Sequence, residues 1–239
     1  MKVGLTLPQF GEDAEACIEV ARQAEAAGLD GVFVFDHLWA IGRPDRPALH
    51  GPSLLAALAT ETRRLRVGTL VARVGLIPDD LLVATFATLA AMAGDRLVAA
   101  LGVGDRLSED ENRAFGVPFP SVTDRWASLG ACCGHLSRLG IETWVGGLSA
   151  GTRAVGRAES DALNFWDVTP EVVADELARP DSVPVTWGGR VDLSGGAGLL
   201  DTVLGSLDDA GAAWAVVAPI GVLWPAAVEA VGVARQAVA

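Results

Sequence analysis

Along almost the whole chain, short apolar runs of strand length alternate with longer, Ala-rich stretches whose apolar residues recur at helical spacing. Eight such runs begin near Lys2 (KVGLTLP), Gly31 (GVFVFD), Arg66 (RVGTLVA), Arg96 (RLVAALGVG), Glu142 (ETWVGG), Ala162 (ALNFWDV), Val183 (VPVTWGG) and Ala212 (AAWAVVAP). Between and after them, the spacing predicts helices over residues 14–27, 53–62, 80–93, 121–139, 150–159, 170–178, 199–210 and 225–237. A parallel strand needs a long crossover to return to the same edge, so strict alternation implies a parallel sheet with right-handed connections. Eight units close an α/β barrel, the (β/α)8 TIM barrel, whose usual length is roughly 250 residues. An open doubly wound sheet is the alternative. Continuous apolar runs such as Val32-Phe33-Val34-Phe35 and Trp214-Ala215-Val216-Val217 suit strands buried on both faces. Short Gly-rich linkers feed each helix back into a strand, and residues 1–239 read as a single domain.

Composition narrows the function classes. Of 239 residues, 51% are hydrophobic and 20% charged, enough apolar surface to rule out disorder. A net charge of -12 without a local basic stripe argues against nucleic-acid and anionic-membrane partners. Cys17, Cys132 and Cys133 make an odd, poorly spaced set, better read as buried packing residues in a reducing compartment. With no signal-like leader and no apolar run of about 18 residues, the expected location is cytoplasmic.

In a barrel of this kind, function collects at the C-terminal ends of the strands. Read in order, these ends give Pro8-Gln9-Phe10-Gly11, Asp36-His37, Gly68-Thr69-Leu70-Val71, Leu101-Gly102-Val103-Gly104 and Trp144-Val145-Gly146-Gly147. Ser108-Glu109-Asp110-Glu111 then leads into Ala114-Phe115-Gly116-Val117-Pro118. This succession resembles the bacterial luciferase-like family of flavin- and deazaflavin-dependent oxidoreductases, densely over residues 2–147 and more thinly at Ser160-Asp161-Ala162-Leu163-Asn164-Phe165-Trp166.

The resemblance implies hydride transfer to or from a small organic substrate. The cofactor would be the deazaflavin coenzyme F420, or FMN, lying across the mouth. It implies that Asp36 and His37 approach the cofactor's ring as catalytic residues, His37 shuttling a proton near neutrality. It also implies cofactor contacts from Gln9, Leu70, Val71, Gly146, Gly147, Ser149, Trp166 and Thr169, with a non-proline cis peptide at Leu70-Val71. Gly146-Gly147-Leu148-Ser149 ends a strand and opens a helix, so backbone N–H groups converge on any anion there, though plain turn chemistry and a Ser149 N-cap read equally well.

Three departures stand out. Trp166-Asp167-Val168-Thr169 brings a carboxylate where the family's cofactor phosphate is expected, so a cation such as Arg190 or Arg153 must intervene. Pro8 and Leu107 stand where the sugar-phosphate-oxidising branch has Glu, which counts against glucose 6-phosphate as substrate. Any lid must come from residues 38–52 or 103–123.

A degenerate barrel acting as a binding or scaffolding protein is the second reading. Schiff-base chemistry is excluded, because the one lysine, Lys2, lies at the wrong end of its strand. No metal is expected, since His37, His50 and His135 share no ligand spacing, and no Gly-x-Ser-x-Gly turn supports a serine hydrolase. Apolar residues around most of the stretch 81–93 predict a homodimer through outer helices.

Overall fold

The computed structural model describes residues 1–238. In chain order its elements are β1 (Lys2–Thr6), α1 (Ala14–Ala26), β2 (Gly31–Val34), β3 (Trp39–Ala40), β4 (Arg43–Pro47), α2 (Gly51–Glu61), β5 (Arg66–Thr69), β6 (Ala72–Arg73) and α3 (Asp79–Ala93). Then follow β7 (Leu97–Gly102), α4 (Arg106–Ala114), α5 (Val122–Arg138), β8 (Glu142–Gly146), α6 (Ala150–Glu159), β9 (Ala162–Trp166), α7 (Pro170–Leu177), β10 (Val185–Asp192), α8 (Gly198–Asp209), β11 (Trp214–Ile220) and α9 (Trp224–Arg235).

The large sheet runs β5-β2-β1-β11-β10-β9-β8-β7-β6 and is parallel throughout. Pairing of β5 with β7, Val67 opposite Leu97 and Gly68 opposite Val98, joins its two ends into a barrel. The (β/α)8 barrel expected from the alternation is therefore the observed fold, and the open sheet is not. β6 extends the third barrel strand beyond a cis peptide at Leu70-Val71, where the resemblance placed one.

Two packed layers hold the barrel. Its interior is filled by Phe33, Leu70, Val98, Ala100, Trp144, Trp214 and Val216. Phe33 stacks on Trp144 at 5.3 Å and meets the edge of Trp214 at 5.7 Å. Gly4 and Gly68 make room for that ring, since a Cβ there would lie 3.1 and 3.0 Å from its edge carbons. The outward-facing strand residues pack against the helices in a second, larger cluster. All three cysteines are free and buried, and burial pushes the Cys132 and Cys133 thiols up to about 12. Among the described residues, no helix is long and apolar enough to cross a membrane.

Both expected lid segments carry regular structure rather than irregular loop. Residues 38–52 contain the antiparallel β3–β4 hairpin, with β4 exposed along its length. Residues 103–123 contain α4, a helix whose buried positions are Ser108, Glu111 and Asn112. An inward face made of polar residues gives no apolar periodicity, so the pattern that found the other helices passes over this one.

Candidate active site

The second barrel strand delivers Phe35, Asp36 and His37 to the mouth, and Gln9 sets the path of that segment. The Gln9 side chain is fully buried. Its amide donates to the Phe35 and Leu49 carbonyls, both at 2.7 Å, and accepts from the Phe35 N–H at 2.7 Å. All of this hydrogen bonding goes to backbone, so Gln9 clamps the mouth loops.

His37 is held from one side. Its Nδ1 lies 2.8 Å from Glu111 Oε1, while Glu111 Oε2 accepts from the Leu38 N–H at 3.1 Å and from Arg73 Nη2 at 2.5 Å. Glu111 and Arg73 are almost completely buried, and Arg73 also donates its backbone N–H to Asp36 Oδ2 at 2.5 Å. Burial alone would raise the Glu111 carboxyl, but hydrogen bonds and charge from His37 and Arg73 outweigh it and hold the group below the ordinary range. Asp36 goes the other way: burial raises it, and the Arg73 guanidinium only partly offsets that. Two carboxyls sharing one arginine are thus pushed in opposite directions.

The remaining expected residues extend this patch. Phe35 meets Trp166 edge-on at 5.7 Å and lies 6.5 Å from the His37 ring. Leu70 is buried inside the barrel beside Gly188 and Trp166, and the Val71 side chain crosses the ends of β7 and β8. A Cβ on Gly102 or Gly146 would come within 2.6 Å of it.

One step further out, Ser149 caps α6 by accepting the Thr152 N–H at 3.2 Å, and Gly147 has φ +137, a conformation that favours glycine. The first two N–H groups of α6, on Ala150 and Gly151, have no partner within the helix. Thr169 stands apart, exposed at the N-cap of α7 without a side-chain cap bond. Asp167 is neutralised by Arg190, which binds it through the backbone N–H at 2.8 Å, Nε at 2.9 Å and Nη2 at 2.8 Å. Arg153 instead serves Glu176.

A further cation lies at the rim. Arg125, in the first turn of α5, is 8% exposed. Its guanidinium stacks 3.8 Å over the Phe119 ring, and Nε and Nη1 are buried with no hydrogen-bond partner among the described residues. Burial pulls its pKa down, with the Glu109 charge opposing. Its neighbour Trp126 donates to Thr152 Oγ1 at 3.1 Å, which ties this turn of α5 to the start of α6. A desolvated arginine without an ion pair is costly, which makes Arg125 a candidate partner for an anion. Sequence reasoning passed over Arg73, Glu111 and Arg125 as site residues.

Comparison with known proteins follows this geometry. A family model described as luciferase-like monooxygenase matches residues 1–128. The chain belongs to the luciferase-like monooxygenase family. Two curated relatives of this luciferase-like barrel are named F420-dependent glucose-6-phosphate dehydrogenase. The one from Kineococcus radiotolerans is 36% identical over 175 residues, covering 72% of this chain and 46% of the relative. The one from Intrasporangium calvum is 31% identical over 196 residues, covering 79% and 53%. The chain thus spans about half the length of the curated relatives it matches. Among solved structures, an F420-dependent secondary alcohol dehydrogenase in complex with an F420-acetone adduct superposes with TM-score 0.82 at 14% identity, covering 100% of this chain and 99% of that one. The coenzyme F420-dependent tetrahydromethanopterin reductase of Methanopyrus kandleri gives TM-score 0.75 at 12% identity, covering 97% and 98%. At those identities the likeness is one of fold.

Proposed function

We propose that this chain is an oxidoreductase that moves a hydride between a small organic substrate and coenzyme F420 held across the barrel mouth, with FMN as the second candidate. The observation that carries the reading is the meeting, at one mouth, of an imidazole gripped by a buried carboxylate and an unpaired, desolvated arginine. The names of the curated relatives and the family itself support the choice of F420.

Residues present fit such a group. Val71, Trp166 and Phe35 offer apolar surface for a ring. Arg125 and the free N–H groups of Ala150 and Gly151 offer a seat for its phosphate, now that Arg190 masks Asp167. When bound, the deazaflavin supplies the hydride acceptor or donor. His37 takes or returns the substrate's proton, Glu111 holds that ring in place, and Arg73 keeps Glu111 ionised. Leu107, exposed on α4, and Pro8 stand against glucose 6-phosphate as the substrate.

We further propose a cytoplasmic homodimer. The exposed Leu81 and Met92 on α3, with exposed Ala84 and Ala91 between them, support the pairing face, and three buried free thiols suit a reducing compartment. Sedimentation as a monomer at micromolar concentration would remove the dimer.

The decisive test of function is titration with F420 and with FMN, followed by single-turnover reduction for the parent and His37→Ala. The variant is expected to bind cofactor within about twofold of the parent and to turn over about a hundredfold more slowly or worse. A parent that binds neither cofactor at about 100 μM, an affinity worth only about 5.5 kcal/mol, overturns the enzyme reading and leaves a barrel that binds or scaffolds.

A further inference from the structure

We infer that Glu111 is a positioning residue whose carboxylate fixes the neutral His37 ring as the tautomer with its proton on Nδ1, leaving Nε2 as the proton-exchanging atom of the site. Its importance for turnover rests on the function proposed above, whereas the geometry is independent of it.

The two oxygens of Glu111 divide the work. Oε2 is occupied by the Leu38 N–H at 3.1 Å and Arg73 Nη2 at 2.5 Å, which leaves Oε1, 2.8 Å from Nδ1, for the ring. An ionised carboxylate only accepts hydrogen bonds, so a neutral ring bonded to it through Nδ1 must carry its hydrogen there. Because Leu38 directly follows His37, one carboxylate grips both the backbone beside the histidine and the ring itself. That two-point hold sets ring orientation as well as protonation. The flanks exert no competing choice, since the nearest aromatic rings, Phe10 and Phe35, lie 6.5 Å away and offer no polar atom. Among the described residues Nε2 has no hydrogen-bond partner, and the ring keeps 18% of its side-chain surface open to solvent.

Arg73 makes the arrangement one-way. A buried carboxyl deprived of a cation takes up a proton, and a protonated Glu111 could donate to Nδ1 and move the ring's own proton to Nε2. The Arg73 guanidinium, 2% exposed and 2.5 Å from Oε2, keeps Glu111 an acceptor. Free imidazole side chains favour the opposite tautomer, with the proton on Nε2, so the effect of Glu111 is a reversal that can be observed directly.

The chain contains three histidines, His37, His50 and His135, so ring nitrogen resonances can be assigned with His50→Gln and His135→Gln. In the cofactor-free parent at a pH where the ring is neutral, nitrogen NMR is expected to show His37 protonated on Nδ1 and bare on Nε2. Glu111→Gln, whose amide can donate to Nδ1, is expected to shift His37 to the Nε2–H form while the other two rings and the thermal midpoint report an intact fold. In turnover, the same variant should lower kcat about a hundredfold with KM and cofactor affinity within about twofold. A parent ring protonated on Nε2 overturns the inference, even if Glu111→Gln fails to fold, and so does a folded Glu111→Gln that keeps the proton on Nδ1. If the tautomer reverses as described but no cofactor binds, the oxidoreductase reading falls and the positioning role stands.

Discussion

Replacing Arg125 by methionine separates a binding residue from a structural one. Met keeps the length and apolar stem of the side chain but removes the charge. In the structure the residue is 8% exposed, makes no ion pair among the described residues, leaves Nε and Nη1 buried and unbonded, and stacks on the Phe119 ring at 3.8 Å. A desolvated cation on an aromatic face recovers about 2 kcal/mol, against a burial penalty of several kcal/mol for an unpaired ion. The cofactor-free variant should therefore be as stable as the parent or up to about 2 kcal/mol more stable, the reverse of an ordinary core truncation. With the phosphate-bearing cofactor the sign changes. Losing one or two charge-assisted bonds of about 1.5–3 kcal/mol each weakens affinity at least tenfold, at 1.4 kcal/mol per decade. Urea denaturation without cofactor and an absorbance titration with it measure the two quantities on one preparation. A variant that loses more than about 1 kcal/mol of stability while binding cofactor as the parent does would show that Arg125 is there for packing.

Gly146→Ala places a methyl 2.6 Å from a Val71 methyl, well inside the 3.5–4.0 Å of ordinary carbon contact, and should cost about 1–3 kcal/mol. Val71→Ala should relieve most of that cost, and equal denaturation losses in both backgrounds would refute the contact. For pH, the Glu111 carboxyl is held below its unfolded value of about 4.3, so its stabilising contribution is complete above that value and is lost as pH falls through the lower, folded one. The stability difference between parent and Glu111→Gln should accordingly shrink as pH falls from about 4.3 through the lower, folded value. A difference that instead grew on acidification would show that the network holds Glu111 protonated.

The barrel was legible because strand and helix periods alternate so regularly. Predicted strands at Lys2, Gly31, Arg66, Glu142 and Ala162 begin where the observed ones do, and those at Arg96, Val183 and Ala212 start one or two residues early. Asp36, His37, Val71 and Trp166 were named through resemblance, because those residues occupy strand ends. The residues that hold them in place were not. Arg73 did carry a signal, being the one charge within Val67–Pro78, and a charge in a strand buried on both faces must find a partner. Glu111 sat among acidic neighbours on a helix that buries its polar side, where hydropathy reads solvent. Gln9 was named through its place at a strand end, and its three backbone bonds, which clamp the mouth loops, left no mark in the sequence. Arg125 had no sequence mark at all, since nothing in an isolated arginine announces the lack of a partner.

The polar inner face of α4 means that the His37 environment is assembled from two parts of the chain. His37 and Glu111 are 74 positions apart. They meet only while α4 is docked, and Asn112 is the pin, donating to the Gly75 and Pro118 carbonyls at 3.1 and 3.0 Å. A helix seated through hydrogen bonds and one ion network, outside the closed strand ladder, is expected to open at lower free energy than the barrel beneath it. Each such opening releases the imidazole from its carboxylate while the barrel stays folded. The fraction of molecules competent at a given moment is then a property of nine residues on the rim, and amide exchange along 106–114 is its direct readout.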